Sequence, residues 1–498
     1  MLSIASITPL QVVGAAIATS GLYLLGRCIY ILYLHPLAKF PGPKLAALSD
    51  AWWAWMFTSG RGAQIMLDVH RKYGDVVRIA PNELSFSSVQ SYFDIYGHAG
   101  SKSRAEGRFL KTEFYDLGAP RINTVRDPVV HARQRKALSH AFSAKALRDQ
   151  EDVVQQYVDL FVKQLTRLGS AGKKAIEATE AYNWLTFDII GDLAFGESFN
   201  AVADAKTHFW IAQIFDATQY MLVQQVIKRV PLLKYVESFL VPKGSGEKLQ
   251  IHTQLSHDKA LKRMQLGPDL RPGKEDFFGH MIRKGTITET EIAAQARVLI
   301  LAGSETTATA LSAITYYLLR NPACLAEVQK EVRGRFKAMD EITGDSAAGL
   351  KYVHGVIEEG LRLSPPVGSG LPRHSPGAVV DGHYVPAGVI VTNGNYEMAR
   401  DPRYWHDPEA FRPERWIGEG YHDDKRASQP FSTGSRGCLG LNLAYLELRI
   451  IVAKIVFAFD FELESKHLGD WNDECKLYAL WRKPKLFVKF HPVVSTAN

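Results

Sequence analysis

The chain has 498 residues, 46% hydrophobic and 22% charged, the proportions of a globular protein able to bury a large core. Its 59 Lys and Arg exceed 52 Asp and Glu by a thin margin, net +7, and no basic run interleaved with aromatics marks a nucleic-acid partner. Four scattered cysteines, Cys28, Cys324, Cys438 and Cys475, make no disulfide framework, which places the body in a reducing compartment.

The amino terminus is apolar from Ile7 to Leu34 except for Arg27. At about 1.5 Å per residue such a run crosses a hydrocarbon layer of about 30 Å with some tilt, so residues 1–34 are expected to be a membrane anchor. A cleaved signal peptide is the rival, disfavoured by the missing basic start and the length of the run. Lys39 and Lys44 follow the span and put the body on the cytosolic side. Residues 35–45, with Phe40-Pro41-Gly42-Pro43, read as a stiff hinge. Residues 46–498 show no repeat, charge block or linker and read as one large domain.

Apolar periodicity predicts helices over 63–73, 130–142, 144–167, 184–194, 322–336, 352–363 and 441–459. Strands are few: 76–79 and 83–86 as an early hairpin, and 486–490 paired with 461–464. Proline clusters at 365–376 and 402–413 read as long loops. Residues 222–241, rich in Val and Leu with Lys228, Arg229 and Lys234, fit a bilayer-touching segment or a plain amphipathic helix equally.

Three motifs carry chemistry. In Ala302-Gly303-Ser304-Glu305-Thr306-Thr307 a helical apolar run is interrupted, and a helix glycine costs about 0.5 to 1 kcal/mol relative to alanine. Gly303 therefore suggests a place where something flat approaches the backbone. Glu305 beside Thr306 offers an acid and a hydroxyl for moving protons. Alone, the commoner reading is threonines bonded back to helix carbonyls and a solvated Glu305. Next, Glu359 and Arg362 share one helix face, and Phe411-Arg412-Pro413-Glu414-Arg415-Trp416 follows about fifty residues later. Taken alone, the first pair is a surface contact worth a few tenths of a kcal/mol.

Last, residues 431–440 read Phe-Ser-Thr-Gly-Ser-Arg-Gly-Cys-Leu-Gly. Phe431, Gly434, Arg436, Cys438 and Gly440 arise together by chance in fewer than about one window in a million at average residue usage. Cys438 can give a thiolate that pushes electron density into an iron bond, and the two glycines allow turns and close approach. The helix that follows points its N-terminal amides at the sulfur, and Arg436 can pair with a haem propionate. An ordinary buried thiol is the bland alternative.

This decapeptide resembles the haem-binding signature of the cytochrome P-450 monooxygenases, and the other motifs extend the resemblance over most of the chain. It implies a mainly α fold with a small β region, behind one transmembrane helix. It implies heme b, iron protoporphyrin IX, with Cys438 as the sulfur ligand. Glu305 and Thr306 match the family's oxygen-activating segment, Thr306 orienting protons and Glu305 relaying them inward from water. Arg415 completes a Glu-Arg-Arg network with Glu359 and Arg362, whose role is structural. His131-Ala-Arg-Gln-Arg135 stands where many relatives carry Trp-x-x-x-Arg; His131, Arg135, Arg373 and Arg436 are the expected propionate partners. The hinge and His35-Pro36-Leu37 look like membrane-bound filamentous fungal enzymes of secondary metabolism.

The implied function is hydroxylation or epoxidation of a lipophilic small molecule by an enzyme of the endoplasmic reticulum membrane, single-pass and facing the cytosol. No nucleotide-binding glycine pattern is present, so NADPH serves a separate NADPH-cytochrome reductase, docking near Arg133, Lys136, Lys425 and Arg426. The pocket is expected from 101–123, 299–307, 367–371 and 477–480. The rivals are a haem-thiolate isomerase, dehydratase or peroxygenase on the same fold, and a non-enzymatic haem sensor or electron carrier.

Overall fold

The computed structural model describes residues 8–98, 107–118, 120–270 and 275–493. The apolar amino terminus folds as α1 (Pro9–Ile29), opened by a Thr8 capping box and continued by a π-helical turn at Tyr30–Leu34. No residue of α1 is buried. A helix of mean hydropathy 1.6 thus stands off the body with its backbone bonds closed internally, the arrangement a bilayer solvates. Ile7, the first residue of the predicted run, lies outside the described residues.

The segment after α1 is packed onto the body. Leu37 and Phe40 are buried. Arg78 Nη1 donates to the Ile31 carbonyl at 2.9 Å, and the Arg78 backbone N–H donates to the Pro41 carbonyl at 2.7 Å. The proline-rich stretch is therefore stapled to the first strand.

The body is built on α2 (Gly62–Tyr73), α3 (Pro128–Ser139), α4 (Glu151–Leu168), α5 (Ala178–Phe195), α6 (Phe209–Arg229), α7 (Ser245–Gln265), α8 (Glu289–Arg320), α9 (Lys351–Leu363) and α10 (Leu441–Ala458). Every residue of α5 except Glu180 is buried. Its polar groups are satisfied inside: Asp188 accepts from the N–H groups of Phe199, Ala201 and Val202, and Tyr182 bonds Thr315 of α8 at 2.7 Å. Helix α8 is apolar enough to cross a membrane, yet 78% of its apolar window is buried. It is the core helix on which the site is built.

Two predicted helices are interrupted. The run 144–167 divides into Ala144–Arg148, capped by Ser143, and α4, because Gln150 leaves helical geometry at φ −115° and ψ 5°. The run 222–241 stops at Arg229, since Pro231 has no N–H to continue the ladder. A 3₁₀ turn, Pro231–Val236, and a short helix, Glu237–Leu240, replace it.

The strands are β1 (Val76–Ala80), β2 (Glu83–Phe86), β3 (Leu110–Lys111), β4 (Ile176–Glu177), β5 (Arg373–His374), β6 (Ala378–Val380), β7 (His383–Val385), β8 (Ile390–Asn393), β9 (Phe459–Leu463), β10 (Lys476–Tyr478), β11 (Leu480–Arg482) and β12 (Phe487–Pro492). The hairpin β1–β2 and the pair β9–β12 form as expected. The main sheet runs β1-β2-β8-β5-β3, with β2 and β8 parallel and Glu83 opposite Ile390. A mainly helical body with small sheets is the fold class the resemblance implied.

Candidate functional site

The loop before α10 is closed across itself by the Cys438 backbone N–H, which donates to the Phe431 carbonyl at 2.7 Å. Gly434 turns it at φ 70°, and a Cβ there would strike the Tyr96 carbonyl oxygen, so only glycine fits. The helix α10 starts at Leu441 with Gly440 as its cap. The Cys438 sulfur is accessible, and it opens into a cavity of about 450 Å³. Burial pushes the thiol up, opposed by the Gly440 N–H and the Arg135 charge. Phe431 lines the same space, its ring 5.1 Å from Tyr445.

Ala302, Gly303 and Thr306 of α8 also border this cavity. Thr306 Oγ1 donates to the Ala302 carbonyl at 2.7 Å. The hydroxyl is thus bonded back to its own helix, and its oxygen remains an acceptor. Gly303 departs from expectation: a Cβ would lie 2.5 Å from Ile190 Cγ1 of α5. Its small size lets α5 and α8 approach, while its backbone borders the cavity.

Glu305 departs from the plainer reading of a solvated face. It is 1% exposed and does not line the cavity. Its Oε2 lies 3.2 Å from Lys483 Nζ, which also donates to Thr309 Oγ1 at 3.1 Å. Its other oxygen has no hydrogen-bond partner among the described residues.

Five basic side chains line the cavity: Lys111, His131, Arg135, Arg373 and Arg436. None is ion-paired with a carboxylate among the described residues. Carbonyls hold the guanidiniums instead: Arg135 donates to Gly437 at 2.7 Å, Arg436 to Val125 and Arg126 at 2.7 and 3.0 Å, and Arg373 to Pro372 at 3.0 Å. Arg373 also stacks on Tyr96 and Tyr115, 5.3 and 5.6 Å from the ring centres. Lys111 on β3 pairs in register with Arg373 on β5.

The repulsion is large. Burial, then Arg373 and Arg436, push Lys111 down to about 6. Burial, then Arg436, Lys111 and Arg135, push His131 down to about 3. Burial and Arg373 bring Arg436 to about 10. Such a cluster calls for a ligand with more than one negative charge. A macrocycle with two carboxylates and an iron that takes a thiolate fits both ends of the cavity, so the residues present fit haem.

Glu359, Arg362 and Arg415 meet in one buried network. Arg362 grips Glu359 with two bonds of 2.8 Å, and Arg415 Nε donates to Glu359 at 2.9 Å, all three side chains at 0% exposure. Trp416 Nε1 and the Arg412 N–H add bonds of 2.9 Å to the same carboxylate. Burial raises the Glu359 pKa, and Arg362 with Arg415 more than offset it, leaving the carboxyl below its ordinary range. Arg415 also binds Asp423 at 2.5 Å, and Arg362 donates to the carbonyls of Ala399, Pro408 and Ala410. These bonds tie α9 to the long loop leading to Cys438.

Sequence reasoning missed Lys111, Lys483, Asp423 and Glu447. Glu447 of α10 borders the cavity 1% exposed, and burial, partly offset by the Thr307 hydroxyl, pushes it up to about 8. It alone had a visible signal, as the single acid in a mostly apolar helix whose other charges are Arg449 and Lys454. The expected lining is met by Ile122, Leu299, Val367, Leu371 and Leu480, while residues 101–106 and 119 lie outside the described ones.

The family model for cytochrome P450 matches residues 50–490. The chain is 43% identical over 478 residues to the cytochrome P450 monooxygenase BOA3 of Botryotinia fuckeliana (strain B05.10), covering 93% of this chain and 92% of that one. It is 39% identical over 480 residues to the cytochrome P450 monooxygenase ORF9 of Penicillium roqueforti (strain FM164), covering 95% and 92%. It is 38% identical over 484 residues to the cytochrome P450 monooxygenase poxC of Penicillium oxalicum (strain 114-2 / CGMCC 5302), covering 95% and 93%. A cysteine loop, a threonine on the core helix and a ring of basic side chains in one cavity thus coincide with a match over nearly the whole body, and the chain belongs to the cytochrome P450 family of haem-thiolate monooxygenases.

Proposed function

We propose that the protein is anchored in the endoplasmic reticulum membrane by α1, with residues 46–498 as a catalytic domain in the cytosol. It receives electrons from a separate NADPH-cytochrome reductase and hydroxylates or epoxidises a lipophilic molecule of secondary metabolism. The observation that carries this reading is the meeting in one cavity of the Cys438 thiol, the Thr306 hydroxyl and five basic side chains with no carboxylate partner among the described residues.

Cys438 would hold the haem iron through its sulfur, and Lys111, His131, Arg135, Arg373 and Arg436 would hold the propionates. When bound, the haem supplies the iron at which O2 is reduced and one oxygen atom passed to substrate. Thr306 offers its acceptor oxygen to a water that carries protons into the site. Glu305 takes part in that supply by exchanging Lys483 for water. The apolar lining from Val298 to Leu301, with Val367 and Leu480, excludes bulk water and selects an apolar substrate body.

Beyond α6, Leu232, Tyr235 and Phe239 are 76%, 85% and 86% exposed, side chains that a lipid surface would cover. Arg229, stacked 4.1 Å over Trp53, ties this corner to the helix of the exposed Trp55. On the reductase face, Arg133 is paired with Glu291 and Arg426 with Asp424. Lys136 and Lys425 are exposed there and supply the charge an acidic donor would meet.

Turnover with a reductase under isotopically labelled O2 tests the reading. Labelled oxygen should appear in product, and Cys438→Ala should lose the thiolate-type spectrum of the reduced carbon monoxide complex. Product lacking oxygen from O2 would transfer the protein to the isomerase, dehydratase or peroxygenase class.

A further inference from the structure

Helix α8 carries a cation that the haem cavity does not use. Arg297 stands one helical turn before Leu301, on the same face. It borders a second cavity, of about 230 Å³, walled also by Gly118, by Gln224 and Lys228 of α6 and by Thr253 of α7. The two cavities share α8 and the loop before α3 as walls: Leu117 and Gly118 line the outer one, Ile122 and Asn123 the inner one.

The charges around the outer cavity do not balance. The Arg297 guanidinium makes one contact among the described residues, to Met221 Sδ at 3.7 Å, and its Nε has no partner there. Nearby Arg121 is 5% exposed, bonded to the Leu117 carbonyl at 3.0 Å, with its own Nε unpartnered among the described residues. Lys228 reaches the Asp116 backbone carbonyl at 3.0 Å. The Asp116 carboxylate is engaged by Arg126 at 3.0 Å.

The field of this cluster is felt by its neighbours. Burial and Arg297 push Arg121 down to about 10, and burial, Arg297 and Arg121 push His252 down to about 4. His252 is therefore neutral and accepts a hydrogen bond from Trp210 Nε1 at 2.6 Å. Asp116 is the one acid lining the pocket among the described residues, and its carboxylate is taken by Arg126; cations converging on a partly desolvated pocket are then unfavourable until an anion joins them.

We propose that the outer cavity receives an anionic group, a carboxylate by preference, on the far end of a substrate whose apolar body reaches the haem cavity. A guanidinium fork binds a carboxylate through two parallel bonds, which makes Arg297 a specificity-determining residue. The inference rests on the monooxygenase reading above and adds the substrate class. From Arg297 to Thr306 is nine residues of one helix, roughly 13 Å at about 1.5 Å per residue. Oxidation is therefore expected at a carbon about that far from the anionic group.

Spectral titration of the full-length holoenzyme with matched acids and methyl esters tests this. The probes are dodecanoic acid and methyl dodecanoate, and abietic acid and methyl abietate. In at least one pair the acid should bind about tenfold more tightly or better. Arg297→Met should bring that ratio to about one by loss of acid affinity, and Arg297→Lys should keep part of it. Equal binding of acid and ester in every pair, or an undiminished preference in Arg297→Met, overturns the proposal. The reduced carbon monoxide spectrum of each preparation reports the folded haem site, and a parent without the thiolate-type spectrum overturns the underlying haem-thiolate reading with it.

Discussion

Lys483 Nζ lies 3.2 Å from Glu305 Oε2, with both side chains almost fully buried. The acid beside Thr306 is thus held by a residue three positions after Leu480, which lines the substrate cavity. Removing one member of a buried pair leaves an unpaired charge worth about 3 to 5 kcal/mol. Lys483→Met should lower the denaturant midpoint by a corresponding amount, and Lys483→Met combined with Glu305→Gln should recover most of it. A single variant that unfolds like the parent would show that the pair contributes nothing.

Thr306→Ala should consume NADPH and O2 while forming much less oxygenated product and more hydrogen peroxide. Alanine cannot accept from or orient a water, whereas haem content should be retained. Product per NADPH equal to that of the parent would leave Thr306 as a helix residue bonded to Ala302.

Arg362→Ala should yield little haem-loaded protein. It leaves Glu359 at 0% exposure with one of its two arginine charges, a loss of about 3 to 5 kcal/mol. A well-loaded variant with slow turnover would assign these residues to the mechanism.

The Lys111 ammonium should make haem loading proton-linked. Without an anion its pKa is about 6, so between there and its ordinary value of 10.5 the folded chain holds fewer protons than the unfolded one. Stability from this group accordingly rises with pH across that window. A bound dianion restores the charge, so near pH 8 haem binding should return up to one proton to Lys111, set against the proton that the Cys438 thiol releases. Calorimetry in buffers of different ionisation heat should show the net proton balance of Lys111→Met lower than the parent's by up to one proton; an equal balance would exclude Lys111 from the propionate cluster.

Deleting residues 1–28 should release the protein from membranes at high salt with its haem spectrum intact. This cut spares Ile31, whose carbonyl holds Arg78. Retention in the pellet would assign the binding to Leu232, Tyr235 and Phe239.

What could be read from the chain was what short spacing encodes. Cys438, Arg436 and the glycines sit within one decapeptide, and Glu359 and Arg362 within one helical turn. Lys483 could not be read, because its partner lies 178 positions away, and Lys111 belongs to a two-residue strand with no period. The helix 144–167 was misjudged because one residue, Gln150, leaves helical geometry inside an otherwise continuous apolar pattern. The overlong 222–241 segment is different: Pro231 stood in plain view, and the apolar stretch around it obscured the stop.

The parallel pairing of β2 with β8 has a consequence for synthesis. Glu83–Phe86 must wait for Ile390–Asn393, roughly three hundred residues further along the chain. At about 5 to 20 residues per second the early hairpin spends about 15 to 60 seconds with an open edge on the ribosome. Cys438 emerges later still, so haem cannot be enclosed until most of the chain has been made. Messages truncated before the codon for Ile390 should therefore give fragments that present this edge to one another and aggregate.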